Sequence, residues 1–173
     1  MKKEVLEALT ERRSIRNYRP DPIGQEELDE IVKAGLYAPS GMGKQSSKFV
    51  VITDRETRDL LSKMNGRIMG IDRDPFYGAP VVIVVLGDPA VGTYVYDGAL
   101  AIGNMLNAAY ALGIGSCWVH RAKEEFESEE GRALLEKWGV SGNLEGIGHV
   151  ILGRTEELSP AAAPRKEGRV FKV

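Results

Sequence analysis

From Pro80 to Leu86 the chain reads Pro-Val-Val-Ile-Val-Val-Leu, a β-branched run with no polar interruption, closed by Gly87. A strand with one wet face alternates apolar and polar side chains, whereas a strand covered on both faces is apolar throughout. The run therefore predicts a central strand with cover above and below it. The apolar stretch Ala79–Leu86 is about half of what a membrane-spanning helix needs.

The rest of the chain supplies that cover. Val5, Leu6 and Leu9 fall at helical spacing, predicting a short helix over residues 3–11, and Pro20 and Pro22 forbid helix soon after it. Leu28, Ile31, Val32 and Leu36 predict a second helix from about Gln25, ended by the loop Ala38–Gly43. Lys48–Thr53 reads as a strand, and residues 55–64 as a polar helix. Asn65–Gly78 has no clear period and reads as a mobile loop. Residues 95–112 are apolar nearly all round, the look of a buried helix, with Gly113 as its stop. Strands follow at Ser116–Val119 and Glu145–Leu152 with a polar helix Lys123–Trp138 between them, and the tail ends in an edge strand, Arg169–Val173. The order α-α-β-α-β-α-β-α-β is an α+β, three-layer plan of four to five strands in one domain, residues 1–173.

Composition excludes several function classes. The 173 residues are 43% hydrophobic, enough for a core, and the net charge of −2 leaves no basic excess for nucleic acid. Cys117 is the sole cysteine, so neither an internal disulfide nor a cysteine metal cluster can form. The charged segment Met1–Ala8 lacks the apolar core of a secretory signal, so a cytoplasmic protein without membrane partners is expected.

Four constellations could carry chemistry. Arg12-Arg13-Ser14-x-Arg16 packs three guanidinium groups and a hydroxyl into five residues; the guanidinium fork suits phosphate, although a charge run alone also reads as a solvated face. Ala38–Ser47 carries Gly43-Lys44 before two serines but fails the nucleotide-triphosphate pattern: Ala38 stands at the first glycine and Gln45 separates Lys44 from Ser46. Gly113-x-Gly115 lacks the third glycine of a dinucleotide fingerprint and leads into a strand. His120 and His149 lack metal-ligand spacing and read as ordinary polar residues, Cys117 as buried filler, and Trp118 and Trp138 as core or interface aromatics. Asp97 and Asn104 on the long apolar helix need partners; they could fix loops or another subunit, and a structural role is the favoured reading.

In order, the segments RRSIRNY, APSGMGKQSSKFVVI, DPFYGAPVVIVV, YDGALAIGNMLNAAYALGIGSCWV and GHVILGR resemble the FMN-dependent nitroreductase family, in its compact members, from about Ala8 to Gly153. The resemblance implies a three-layer α-β-α sandwich around a mainly antiparallel sheet. It implies FMN as cofactor, NAD(P)H as a transient co-substrate, and a homodimer with FMN sites at the subunit interface. Arg12 and Ser14 would hold the FMN phosphate with Arg13 close by, Arg16 would lie by the pyrimidine edge, and Arg165 or Lys166 would complete the phosphate site. Pro39, Ser40, Gly43 and Gln45 would reach the flavin from the partner, and backbone around Trp118, Val119 and His120 would face its N5 edge. The implied chemistry is ping-pong transfer from NAD(P)H through flavin N5 to a small-molecule acceptor such as a nitroaromatic or quinone, with no catalytic side chain required.

Three departures bear on substrate. The family commonly has asparagine at Gly43, Pro-Trp at Ser46-Ser47, and often glycine at His120. Losing an amide and an indole should open the pocket. The alternatives are another flavin reaction on the same scaffold (reductive dehalogenation, dehydrogenation, flavin fragmentation), a non-catalytic flavin sensor, or an interaction domain without cofactor.

Overall fold

A computed structural model describes residues 4–173; the first three, including the start of the helix expected over residues 3–11, lie outside the described residues. The elements run α1 (Val5–Glu11), α2 (Gln25–Leu36), β1 (Ser47–Ile52), α3 (Arg55–Met69), β2 (Val81–Gly87), α4 (Tyr94–Ala111), β3 (Gly115–Val119), α5 (Ala122–Glu127), α6 (Glu129–Lys137) and β4 (Glu145–Gly153). The strands order as β1-β2-β4-β3, and each neighbouring pair is antiparallel.

Every residue of β2 is buried, as its sequence demands. Val82, Val84 and Leu86 join Leu61, Phe126 and Leu135 on the side of α3, α5 and α6. Val81, Ile83 and Val85 join Ile31, Ala101 and Met105 on the side of α2 and α4. Each aliphatic side chain so covered contributes about 1.5–3 kcal/mol, so these two layers outweigh any surface ion pair. Between Val85 and Leu86 the pairing with β4 slips by one residue. This bulge lets Ile147 and Val150, three apart, share the α4 side, while His149 opposes Val84 and Val119.

The structure corrects the sequence reading in five places. α3 does not stop at Met64 but runs to Met69, from an Asp54 cap on the Thr57 N–H (2.8 Å) to a left-handed Gly70. The continuation depends on burial that propensity cannot reveal: Asn65 and Gly66 face the interior. The remaining loop is wound on Asp74, which accepts from Ser62 Oγ (2.6 Å), from the N–H groups of Phe76 (2.8 Å) and Gly78 (2.6 Å), and from Arg58. Burial pushes the Asp74 carboxyl up, but these bonds together hold it below the usual range.

The polar stretch after Ala122 forms two helices, because Ser128 Oγ caps α6 on the Gly131 N–H (3.0 Å). Gly131 is required at that corner, since a Cβ there would lie 2.0 Å from the Glu125 carbonyl. Arg169–Val173 forms no fifth strand and is exposed; the outer edge of β3 is taken instead by Ser14–Ile15. α4 buries one side only, leaving Val95, Tyr96 and Leu100 exposed. Gly98 of α4 packs within the chain, where its missing Cβ leaves room for Ile147.

Candidate functional site

After α1 the backbone extends, and Ile15 donates its N–H to the Ser116 carbonyl at 2.9 Å while Ser14 and Ser116 form a parallel bridge. This link lays Arg12–Arg16 along β3, whose far end carries Trp118, Val119 and His120. Three strand residues span about 10 Å, so the basic segment and the β3 terminus flank one elongated surface.

Arg12 is half-buried and its Nη1 is enclosed without a hydrogen-bond partner. Desolvation lowers its pKa, with Cys117 opposing and the neighbouring charge of Arg13 adding to the fall. Arg13 spends Nη1 on the carbonyls of Thr10 (2.8 Å) and Arg12 (2.7 Å), which locks the turn, and its Nε is enclosed without a partner. Ser14 is half-buried beside them. Enclosed guanidinium donors lacking an acceptor are the donor set an oxyanion completes. Arg16 is exposed, and its guanidinium carbon lies 5.8 Å from the centroid of the Tyr77 ring.

The second group sits on the loop between α2 and β1. Pro39, Gly43 and Gln45 are exposed and Ser40 is half-buried, with Ser40 Oγ accepting from the Gln45 N–H at 3.0 Å. Met42, Gly43 and Gln45 have φ of 52°, 65° and 49°, so the loop is strained at two non-glycine positions. Asp97 of α4 holds it, accepting from the Gly41 N–H (2.9 Å), Ser46 Oγ (2.7 Å) and Thr93 Oγ1 (3.1 Å). Burial raises the Asp97 carboxyl, but the bonds from Gly41, Ser46 and Thr93 outweigh it and leave its pKa below the ordinary value. The Ser46 side chain is thus part of the clamp. Asn104 likewise serves structure, donating to the Ala34 carbonyl at 3.1 Å.

At the third group, Trp118 lies over Gly148, where an added Cβ would come within 2.2 Å of the indole nitrogen. Trp118 and His120 are exposed and Val119 is buried. The left-handed backbone here belongs to Arg121 (φ 78°) and not to His120. The fold brings Arg12–Arg16 and Trp118–His120 together, but among the described residues no hydrogen bond or ion pair joins them to Pro39–Gln45. Arg165 is exposed on an irregular tail, and no such bond ties it to Arg12 either.

Sequence reasoning missed Tyr77, Asn65 and the pairing of His149 with Glu125. Asn65 had a signal, because it follows Leu61 by one helical turn on the same face. Among the described residues, no group of His, Cys, Asp and Glu could hold a metal ion, and no helix is long and apolar enough to cross a membrane.

The fold and these groups define an α+β sandwich with a basic segment seated beside one strand. The model of the nitroreductase family matches residues 9–70. An Archaeoglobus fulgidus protein, provisionally named NADH dehydrogenase/NAD(P)H nitroreductase, is 36% identical over 87% of this chain and 84% of its own length. A Bacillus subtilis protein named as an FMN reductase acting with NAD(P)H is 31% identical over 65% of this chain, which spans 52% of it. A Bacteroides fragilis nitroreductase crystallised with bound FMN superposes with a TM-score of 0.90 at 32% identity, over 99% of both chains. The chain belongs to the nitroreductase family.

Proposed function

We propose that this protein is an NAD(P)H-dependent FMN oxidoreductase of one domain, working in the cytoplasm as a homodimer and passing electrons to a nitroaromatic, quinone or related acceptor. The observation that carries the reading is the enclosed, unpartnered pair Arg12 Nη1 and Arg13 Nε on a segment pinned to β3. When bound, FMN supplies the two-electron chemistry, taking electrons from a nicotinamide and giving them up in turn to the acceptor. Arg12, Arg13 and Ser14 would hold its phosphate by charge-assisted bonds, and Arg16 would set a fixed cation by the ring. The end of β3 would present backbone to the flavin edge. The relatives named for FMN or NAD(P)H support the same reading.

A homodimer is supported by the surface and by the split site. Val95, Tyr96 and Leu100 of α4 are exposed, as are Leu6 and Leu9 of α1, which packs on α4. Exposed apolar side chains on two helices packed against each other favour a contact face. A second copy on this face would bring Pro39, Ser40, Gly43 and Gln45 to the first copy's cradle, which the single chain leaves unjoined.

The test is an absorbance spectrum with added FMN, then anaerobic NADH or NADPH. Bound flavin bands that bleach with a nicotinamide are expected, whereas bands that bind without bleaching would leave a sensor. Arg12→Ala combined with Arg16→Ala is expected to abolish FMN retention with the circular dichroism spectrum unchanged; normal flavin content in that variant would overturn the phosphate assignment.

A further inference from the structure

We propose that Asn65, Glu125 and His149 form a buried positioning set that fixes the peptide between His120 and Arg121, and with it the site-facing end of β3. What this does for the cofactor rests on the FMN reading above; the hold on the peptide does not.

Asn65 comes from α3, Glu125 from α5 and His149 from β4, and all three are 0% exposed. Asn65 Nδ2 donates to Glu125 Oε1 (2.5 Å) and to the His120 carbonyl (2.8 Å). Glu125 Oε2 lies 2.9 Å from His149 Nε2, and the imidazole leans on the Phe76 ring at 5.2 Å between centroids. The backbone of Glu125 adds a second tie, its N–H donating to the Arg121 carbonyl at 3.0 Å. Two consecutive carbonyls are thus held from inside.

Planarity gives the consequence. In a trans peptide the N–H points opposite to the carbonyl, so with the His120 oxygen drawn in to Asn65, the Arg121 N–H must face away from the core. Arg121 holds a left-handed backbone (φ 78°), which a residue with a Cβ keeps only where its surroundings over-determine it. The set is poorly built for stability. The contact between Glu125 Oε2 and His149 Nε2 is off the hydrogen-bond line, and Asn65 Oδ1 and His149 Nδ1 are enclosed without partners. An apolar trio would fill this space without those losses. What it could not do is reach the His120 carbonyl. The three are positioning residues, acting through backbone.

The test is Asn65→Leu, of similar volume without donors, with Glu125→Gln as a second, milder variant. Amide hydrogen exchange over residues 118–122 is read in the flavin-free full-length protein, and FMN dissociation and the rate of flavin reduction in the loaded protein. Exchange at 118–122 is expected to rise about tenfold, the worth of one lost buried bond, while β2 stays protected. FMN binding is expected to weaken and flavin reduction to slow, with the KM for nicotinamide little changed. Unchanged exchange at 118–122, or an equal rise across the sheet, would overturn the proposal. Should wild-type protein take up no FMN while Asn65→Leu still frees this segment, the flavin reading falls and the positioning set stands.

Discussion

Asp97 and Glu125 are both carboxylates withdrawn from water, and they are housed in opposite ways. Asp97 sits in the first turn of α4, where the helix N-terminus favours negative charge, and three donors converge on its two oxygens. Each donor belongs to the loop or turn that the acid fastens. Glu125 is more deeply buried, yet only Asn65 donates squarely to its side chain, and the polar atoms around it include several without partners. A fully bonded buried acid is a fastener and contributes stability. An under-bonded one costs stability, so its presence points to geometry elsewhere, here the peptide at His120 and Arg121.

Substitutions at the two acids separate a fastener from a positioning group. Asp97→Ala leaves the Gly41 N–H and the hydroxyls of Ser46 and Thr93 without their acceptor, and should cost about 3 kcal/mol in urea-unfolding free energy. A loss below about 1 kcal/mol would mean that the strained loop holds itself. Glu125→Leu should cost less, about 2 kcal/mol, because its partners are already half-unpaired. Adding Asn65→Leu and His149→Leu should recover most of that loss, as apolar replacement of a whole buried polar group does. Non-recovery would make the Glu125 cluster a fastener too.

The smallest effect is on pH dependence. The folded-state pKa of Asp97 lies below that of the unfolded chain, so its stabilisation is fully present above the ordinary carboxylate pKa of about 4 and is lost as pH falls through the lower, folded value. Asp97→Asn should therefore flatten the acid limb of the stability profile. An unchanged slope would remove Asp97 from the acid response.

What could be read in advance followed from patterns that local physics enforces. The β2 run could be nothing but a doubly covered strand, and the fold has it so. Asp97, polar on an apolar helix, needed partners and has them. The segments after residue 64 were illegible for a specific reason: Asn65 finds its partner far away in sequence, at His120, and Gly66 leaves room for the backbone of Ile71 and Arg73 just beyond the helix. The break at Ser128 did have a local signal, a serine cap three residues before Gly131, hidden among the glutamates on either side of it. His149 looked solitary because its partner, Glu125, lies on another element, and only the packing of α5 on β4 brings the two together. The Arg12–Ser14 cradle was visible as a charge cluster, but its seat on β3 was not, since one backbone bridge decides it.

Trp118 and Trp138 are the chain's two tryptophans, and they report from different stations. Trp118 is 38% exposed at the end of β3, whereas Trp138 is half-buried with its ring 6.2 Å from Phe126. The protein's own emission is therefore a two-channel optical gauge. A wet indole emits to the red and a packed one to the blue, so a molecule or subunit settling at the end of β3 dims or shifts the red edge alone. Loosening of α5 against α6 registers at the blue edge instead, without a label being attached anywhere.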